Sequence, residues 1–283
     1  MFKKRGGCFD SAQQNCHLIA VAPNGARKLL SDHPHIPLDT NHIATTAKDC
    51  LVAGASMIHL HVRDDSGRHS LSVNLYQQAI VEINKATDSG IFIQVTSEAV
   101  GKYTAVEQFA MIHALKPDAV SIALREIKSL DEKIISHHFK TMRQANIAPQ
   151  LILYNQTDLS LYRDWLNRGV IVGKAFPILF VIGKEQLEGS FDNTILRQEF
   201  IRDIPNSSWM VCAFGENEFH AGKLAAEIGG HIRLGFENNC LLDSGVIAKS
   251  NAEIIEQMAK YLSSNNLNLA NLEQTKKLMR PDW

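Results

Sequence analysis

The sequence predicts a single-domain α/β protein, a (β/α)8 TIM barrel, from three observations. Eight apolar runs of strand length alternate with segments whose apolar residues keep helical spacing. The chain has 283 residues, close to the roughly 250 that such a barrel needs. The first apolar run ends in Pro23-Asn24-Gly25, whereas a doubly wound sheet would show a glycine-rich phosphate turn there.

Each predicted strand is a short apolar run bounded by glycine, proline or polar residues. Pro177 lies near the start of the sixth strand, where a missing backbone donor is tolerated. The predicted strands are His17–Ala22, Ser56–Val62, Ile91–Ser97, Asp118–Leu124, Ala148–Leu153, Ala175–Ile182, Ser208–Ala213 and Gly230–Gly235.

The helices are predicted from apolar spacing and from capping residues. In the first, Asp39 or Thr40 serves as the N-cap and Gly54 ends the helix. The others are Leu75–Ala86, Thr104–Leu115, Leu130–Ala145, Leu159–Arg168, Thr194–Ile204, Glu218–Ile228 and Asn251–Leu262. We expect residues 1–16 to form a leader, and residues 17–283 to form the barrel with an extra C-terminal helix over Asn268–Arg280, opened by Asn268 or Asn271.

Composition excludes several classes of partner. The formal net charge is −1 and no basic stripe is present, so we expect no nucleic-acid partner. No apolar run reaches the roughly 18 residues of a membrane span, and the basic start lacks the apolar region of a signal peptide. The five cysteines are widely spaced, which favours reduced thiols and a cytoplasmic protein.

The second predicted strand carries His59 and His61, spaced to bind one metal ion. Residues two apart in a strand point to the same face, so the two imidazoles should project side by side. The polar residues Arg63, Asp64 and Asp65 follow, as expected where a strand leaves the core and becomes a loop. A pair of histidines is weak evidence alone, because most histidines in this pattern are ordinary core or surface residues.

Other polar residues fall where the predicted strands end, which is the active-site face of such barrels. Arg125 and Glu126 follow the fourth strand. Glu126 could line the pocket or could form an ion pair between neighbouring elements, and the sequence favours neither. We expect this rim to bind substrate, and the residues we assign to binding from their position are Asn24, Arg27, Thr96, Ser97 and Glu216.

Glu237, in the loop after the eighth strand, is the best candidate for a third metal ligand. Two imidazoles and one carboxylate leave an open position on a tetrahedral Zn²⁺ for water or a carbonyl oxygen. The same ligand set is also used for iron. A second His-x-His, formed by His33 and His35, brackets a proline in a loop, and we expect it to be solvated.

These residues resemble the β-keto acid cleavage enzyme family, whose described member is the 3-keto-5-aminohexanoate cleavage enzyme. Each matching segment is modest alone, but together they span most of the chain. The segments are Ala20–Ala26, Ala53–Arg68 and Gly229–Asn239, with a fainter match over Gly245–Ala248 and Ser250–Ala252.

The resemblance implies a zinc-dependent exchange in which a β-keto acid and acetyl-CoA give acetoacetate and a new acyl-CoA. It makes His59, His61 and Glu237 the ligands of one zinc ion, and Arg233 the catalytic arginine for proton abstraction beside the carbonyl. Thr96 and Ser121 would help hold the substrate carboxylate. The resemblance also implies a homo-oligomer, a dimer or a tetramer.

Three positions depart from the family pattern. The Glu-Asp pair after the eighth strand is Glu237-Asn238 here, and an asparagine cannot carry the charge that tunes Arg233. We expect another carboxylate, such as Glu216 or Asp64, to replace it, or the proton-transfer step to differ. Arg233, Glu237 and Asn238 form the predicted catalytic set.

The other two departures concern the substrate tail. Arg27 and Ile152 stand where the aminohexanoate enzyme has glutamates, which suit an ammonium group. We therefore expect an unaminated keto acid, and Arg27 favours an anionic or hydrogen-bond-accepting tail. Two alternatives stay open: a zinc aldolase or hydrolase that uses no CoA, and a barrel that binds metal and keto acid without turnover.

Overall fold

The computed structural model describes residues 16–173, 175–184, 192, 204 and 207–280, and within them eight parallel strands close into a barrel. Each strand pairs with the next along the chain, and the last pairs with the first. This confirms the predicted (β/α)8 TIM barrel. The strands are β1 Ile19–Val21, β2 Met57–Leu60, β3 Phe92–Thr96, β4 Ala119–Ala123, β5 Ala148–Leu153, β6 Ile178–Ile182, β7 Trp209–Ala213 and β8 His231–Leu234.

Helices cover the outside of the barrel, and most begin at a side chain that caps them. Asp39, for example, accepts a hydrogen bond from the His42 backbone nitrogen at 3.0 Å, and Gly54 ends that helix in the left-handed conformation. The described helices are Thr40–Ala53, Val73–Thr87, Ala105–Leu115, Leu124–Ile127, Glu132–Gln144, Gln156–Asn167, Glu218–Glu227, Asn251–Ser264 and Leu272–Met279.

The two ends of the chain differ from the prediction. The extra helix begins at Leu272, capped by Asn271, because Asn268–Leu269 instead forms a short parallel strand with Cys16–His17. That pairing separates Cys16–His17 from β1, so the predicted first strand is divided in two. The helix predicted over Thr194–Ile204 lies outside the described residues except for its last position.

Strand alternation produces two apolar layers. Ile58 and Leu60 belong to the layer between the strands and the helices, whereas Met57 packs inside the barrel. The same alternation turns His59 inward from β2 and Arg233 inward from β8. Among the described helices, none has the length and apolar character that crossing a membrane requires.

Candidate active site

His59 and His61 lie at the carboxyl end of β2, where the strand leaves the barrel. Both imidazoles are buried, and their Nε2 atoms are 3.1 Å apart. Asn24 supports the turn by donating from Nδ2 to the backbone oxygens of His61, at 3.3 Å, and of Pro37, at 2.8 Å. Arg63 donates to the backbone oxygen of Gly25 at 2.7 Å, which ties the first loop to this turn.

Glu237 reaches the two histidines from the loop after β8. Its backbone nitrogen donates to the Ala22 oxygen at 3.0 Å. Gly235, at φ +134°, makes this possible, because a Cβ there would lie 2.5 Å from that same oxygen. Glu237 Oε2 lies 3.7 Å from His59 Nε2 and 3.6 Å from His61 Nε2.

A neighbouring amide orients the His59 ring as a metal ligand needs it. Gln94 Nε2 donates to Gln150 Oε1 at 2.9 Å, so Gln94 Oε1 must accept from His59 Nδ1, at 2.8 Å. His59 therefore carries its proton on Nδ1 and keeps the Nε2 lone pair free. Burial lowers the pKa of His59 to about 4 and that of His61 well below its usual value, so both rings are neutral.

These residues fit a divalent cation. Ligand atoms of His59, His61 and Glu237 all lie within 4.8 Å of one another. Glu237 Oε2 is buried and has no hydrogen-bond partner among the described residues, which is costly for a carboxylate oxygen unless a cation binds it. Two neutral imidazoles with one carboxylate suit Zn²⁺ and leave coordination positions for substrate.

Gln94 is a position where the fit to a metal can be tested. We expect Gln94→Leu to weaken zinc binding about 10- to 100-fold, because His59 loses the acceptor that fixes its ring and raises its basicity. Competition with a chromophoric chelator measures the affinity, and Gln78→Leu at an exposed position is the control. Unchanged affinity in Gln94→Leu would contradict the role given to its amide.

Arg233 lies beside the triad formed by His59, His61 and Glu237, and it is almost fully buried. Its Nη2 donates to Glu237 Oε1 at 3.2 Å and to Asn238 Oδ1 at 3.4 Å. Burial opposes the charge, but nearby groups, including the Cys212 thiol and the Glu237 carboxylate, raise the pKa of Arg233 above its ordinary value. The guanidinium is therefore a fixed positive charge, and Arg233 lowers the pKa of Glu237 despite its burial.

A pocket opens beside the triad at the carboxyl ends of the strands. Its lining combines charged and hydroxyl side chains with apolar and aromatic ones. Its lining consists of His59, Thr96, Glu98, Ser121, Ala123, Glu126, Ile152, Tyr154, Val181, Lys184, Phe214, Arg233 and Glu237. A small polar pocket next to a candidate metal site is the arrangement expected for a carboxylate-containing substrate.

The predicted binding residues have different positions. Thr96 and Ser121 line the pocket, with their hydroxyl oxygens 3.4 Å apart. Asn24 and Arg27 line a neighbouring cleft at the pocket mouth, where Arg27 is exposed.

Ser97 and Glu216 do not line the pocket. Ser97 lies directly after β3 and points to the face opposite that of Thr96. Its hydroxyl donates to the Ser121 backbone oxygen at 2.9 Å. Glu216 is exposed in the turn after β7; the carboxyl from this segment that turns inward is Glu218. Asp64, the other predicted substitute for an acidic partner, carries an ion pair with Arg68 in a loop.

Several pocket residues were not predicted. Lys184 and Glu98 form a largely buried ion pair at 2.9 Å on opposite sides of the barrel mouth. For Glu126 the sequence allows either an ion pair or a pocket role, and the structure places it in the lining. Burial raises the pKa of Glu126 to about 7, so the pocket contains a carboxyl that titrates near neutrality. Glu98 and Lys184 each lie two residues after the end of a strand, and this position could have indicated from the sequence that they belong to the active-site face.

The second His-x-His was only half predicted. His35 is exposed as expected, but His33 is buried. The His33 ring bonds through Nε2 to the Ala248 backbone oxygen at 2.9 Å and lies 4.2 Å from the Phe236 ring. It anchors the loop after β8 against the loop after β1, a contact that sequence spacing does not reveal.

Comparisons with known proteins show the family to which the chain is similar. The family model for beta-keto acid cleavage enzyme matches residues 17–280. The chain is 31% identical over 252 residues to the 3-keto-5-aminohexanoate cleavage enzyme of Acetoanaerobium sticklandii, covering 86% of this chain and 90% of that protein. It is 24% identical over 271 residues to the 3-oxoadipate:acetyl-CoA acetyltransferase of Cupriavidus necator, covering 93% of this chain and 94% of that protein.

Solved structures support the fold. The binary complex of ObcA with oxaloacetate aligns with a TM-score of 0.69 at 13% identity, covering 88% of this chain and 68% of that one. A type I 3-dehydroquinate dehydratase from Clostridium difficile aligns with a TM-score of 0.61 at 10% identity, covering 90% of this chain and 94% of that one. At these identities the likeness shows the barrel alone.

Proposed function

The chain belongs to the beta-keto acid cleavage enzyme family, and from that membership we propose that it exchanges acyl groups between a β-keto acid and acetyl-CoA at a zinc site. The products are acetoacetate and a new acyl-CoA. Two observations support this beyond the family match: acetyl-CoA is named as co-substrate of the 3-oxoadipate relative, and His59, His61 and Glu237 converge beside Arg233 in one pocket.

The reaction is balanced without an external oxidant or reductant. Removal of a proton from C2 of the keto acid lets C2 form a bond to the acetyl carbon of acetyl-CoA, and CoA thiolate leaves. The thiolate then attacks the original C3 carbonyl, the C2–C3 bond breaks, and C2 regains a proton as acetoacetate departs. The protein must therefore hold a carboxylate, stabilise an enolate and move a proton at C2.

Residues of this chain suit each of those tasks. The Thr96 and Ser121 hydroxyls, 3.4 Å apart in the lining, can donate to the substrate carboxylate. His59, His61 and Glu237 would hold zinc, which as a Lewis acid polarises the keto carbonyl. Arg233 supplies a fixed positive charge to the same pocket, and Glu126 is the lining carboxyl that titrates near neutrality and suits proton exchange at C2.

The proposal is tested by incubating the zinc-loaded protein with acetyl-CoA labelled in the acetyl group and a panel of β-keto acids. Labelled acetoacetate together with a new acyl-CoA, detected by mass spectrometry, is the expected result. Turnover that needs no CoA would instead indicate an aldolase or hydrolase. Bound zinc without turnover would indicate a binding protein. Light scattering on the same sample measures the predicted homo-oligomeric state.

The substrate tail should be unaminated. Ile152 lines the pocket beside Ala123 and Val181, and these three apolar side chains offer an ammonium group no partner on their part of the lining. Arg27 and Lys28 at the neighbouring cleft, with Lys184 between cleft and pocket, favour an acidic or accepting tail. On this proposal the zinc ligands serve the reaction common to the family, and the tail contacts distinguish one substrate from another.

We expect kcat/KM for 3-keto-5-aminohexanoate to be at least about tenfold below that of an unaminated or dicarboxylic keto acid, because an ammonium group placed against Ile152 loses its hydration without gaining a partner there. Steady-state kinetics on the three substrates measures this ratio. Arg27→Ala should raise KM for the dicarboxylic acid while leaving that of a short neutral-tailed acid unchanged. A preference for the aminated acid in the unmodified protein would refute the assignment.

A further inference from the structure

Asn238 is held between two buried groups, Arg233 and Glu218. Its Nδ2 donates to Glu218 Oε1 at 3.1 Å and to the Arg233 backbone oxygen at 3.2 Å. Its Oδ1 accepts from Arg233 Nη2 at 3.4 Å. Glu218, from the helix after β7, is 1% exposed, and the Gly235 backbone nitrogen also donates to its Oε1 at 2.9 Å.

These contacts decide which way the Asn238 amide points. Glu218 Oε1 and the Arg233 backbone oxygen both accept, so the Asn238 NH2 group must face them and Oδ1 must face the guanidinium. The opposite orientation would place NH2 against the Arg233 donors and Oδ1 against the Glu218 oxygen. Burial removes the water that could relieve either contact.

We propose that Glu218 is a positioning residue for Arg233, acting through the Asn238 amide, and that Glu218 rather than Glu216 or Asp64 supplies the acidic group that Asn238 itself lacks. The inference deepens the proposed function, on which the importance of Arg233 rests. Arg233 lines the pocket and its Nε has no hydrogen-bond partner among the described residues, so the Nη2 contacts are what fix the guanidinium plane. Burial raises the pKa of Glu218 to about 8, yet Oε1 accepts the same hydrogen bonds whether or not Oε2 carries a proton.

Reciprocal exchange of the two side chains gives a sharp test. Asn238→Asp alone should lower kcat about 100-fold, because a carboxylate oxygen, which can only accept, then faces the Glu218 and Arg233 backbone oxygens in a buried site. Glu218→Gln alone should cost less than about tenfold, since a glutamine oxygen can still accept from Asn238 and Gly235. The double variant Glu218→Gln with Asn238→Asp should be about tenfold more active than Asn238→Asp, because the introduced glutamine amide can donate to the introduced carboxylate; recovery is incomplete, because the Gly235 backbone nitrogen then loses its acceptor.

A spectroscopic measurement separates positioning from a merely structural role. The ¹⁵N–¹H signal of the buried Arg233 Nε, identified by its loss in Arg233→Lys, should shift in Asn238→Asp and return in the double variant. Glu218→Leu should also shift it, whereas Glu216→Gln, two residues away and exposed, should change neither the signal nor kcat. In all of these variants of Asn238 and Glu218, KM for the keto acid should stay within about threefold of its value in the unmodified protein.

The outcomes distinguish this inference from the proposed function. An unmodified protein that exchanges no keto acid refutes the function, while the Arg233 signal still decides the positioning role. A double variant no more active than Asn238→Asp, together with an Arg233 signal indifferent to Glu218→Leu, overturns the inference. If Asn238→Asp fails to fold and the double variant folds, that recovery is itself the expected coupling.

Discussion

His61→Gln should lose tightly bound zinc and reduce acyl exchange by roughly 1,000-fold or more. The variant removes one of two neutral imidazole nitrogens that lie 3.6–3.7 Å from Glu237 Oε2, so the carboxylate keeps only one histidine with which to bind the cation. The loss of zinc affinity should exceed the 10- to 100-fold loss expected for Gln94→Leu, because Gln94 only orients a ligand whereas His61 is one. Metal analysis after gel filtration and kcat at saturating substrate are the measurements.

The second His-x-His provides a matched control. His35→Gln makes the same substitution at an exposed position and should keep the zinc content and kcat of the unmodified protein. Because burial lowers the pKa of His59 to about 4, the ring stays neutral as pH falls through the usual histidine range, and protons should compete with zinc only near and below that value. Full zinc content and full activity in His61→Gln would mean that the metal, if any, binds elsewhere.

Arg233→Met should lower kcat by about 100- to 10,000-fold while the zinc content stays unchanged. The guanidinium is the more deeply buried of the two positive charges that line the pocket, and its loss removes a group proposed to stabilise developing negative charge on the substrate. Arg233→Lys should not restore the rate, because an ammonium cannot match the planar contacts with Glu237 and Asn238.

Measurement of kcat and KM with the zinc content fixed checks this expectation. A rise in KM alone would mean that Arg233 binds substrate and transition state equally. The pH profile of the remaining activity should still show an ionisation near pH 7, because Glu126 is unchanged in this variant and burial raises its pKa to about 7. A variant that retains the original kcat would remove Arg233 from the mechanism.

The barrel and the histidine pair could be predicted because their signals are local. Alternating apolar runs and helical spacing need only a few neighbouring residues, and the two-residue period of a strand places His59 and His61 on one side. Glu237 was predicted because strand ends in these barrels meet on one face. The helix assignments were less accurate at their ends, since pairing of Asn268–Leu269 with Cys16–His17 depends on a distant segment.

What the sequence by itself determined is therefore the barrel, the end of it that carries polar chemistry, and the residue types available there. Only the tertiary structure decided that Ser97 turns away from the pocket, that Glu218 points inward while Glu216 is exposed, and that Lys184 meets Glu98. It also decided that Gln94 fixes His59 and that Asn238 turns its oxygen to Arg233. The physical reason is that a side chain's partners depend on where its element begins and ends and on residues far along the chain, and neither is encoded in a residue's immediate neighbours.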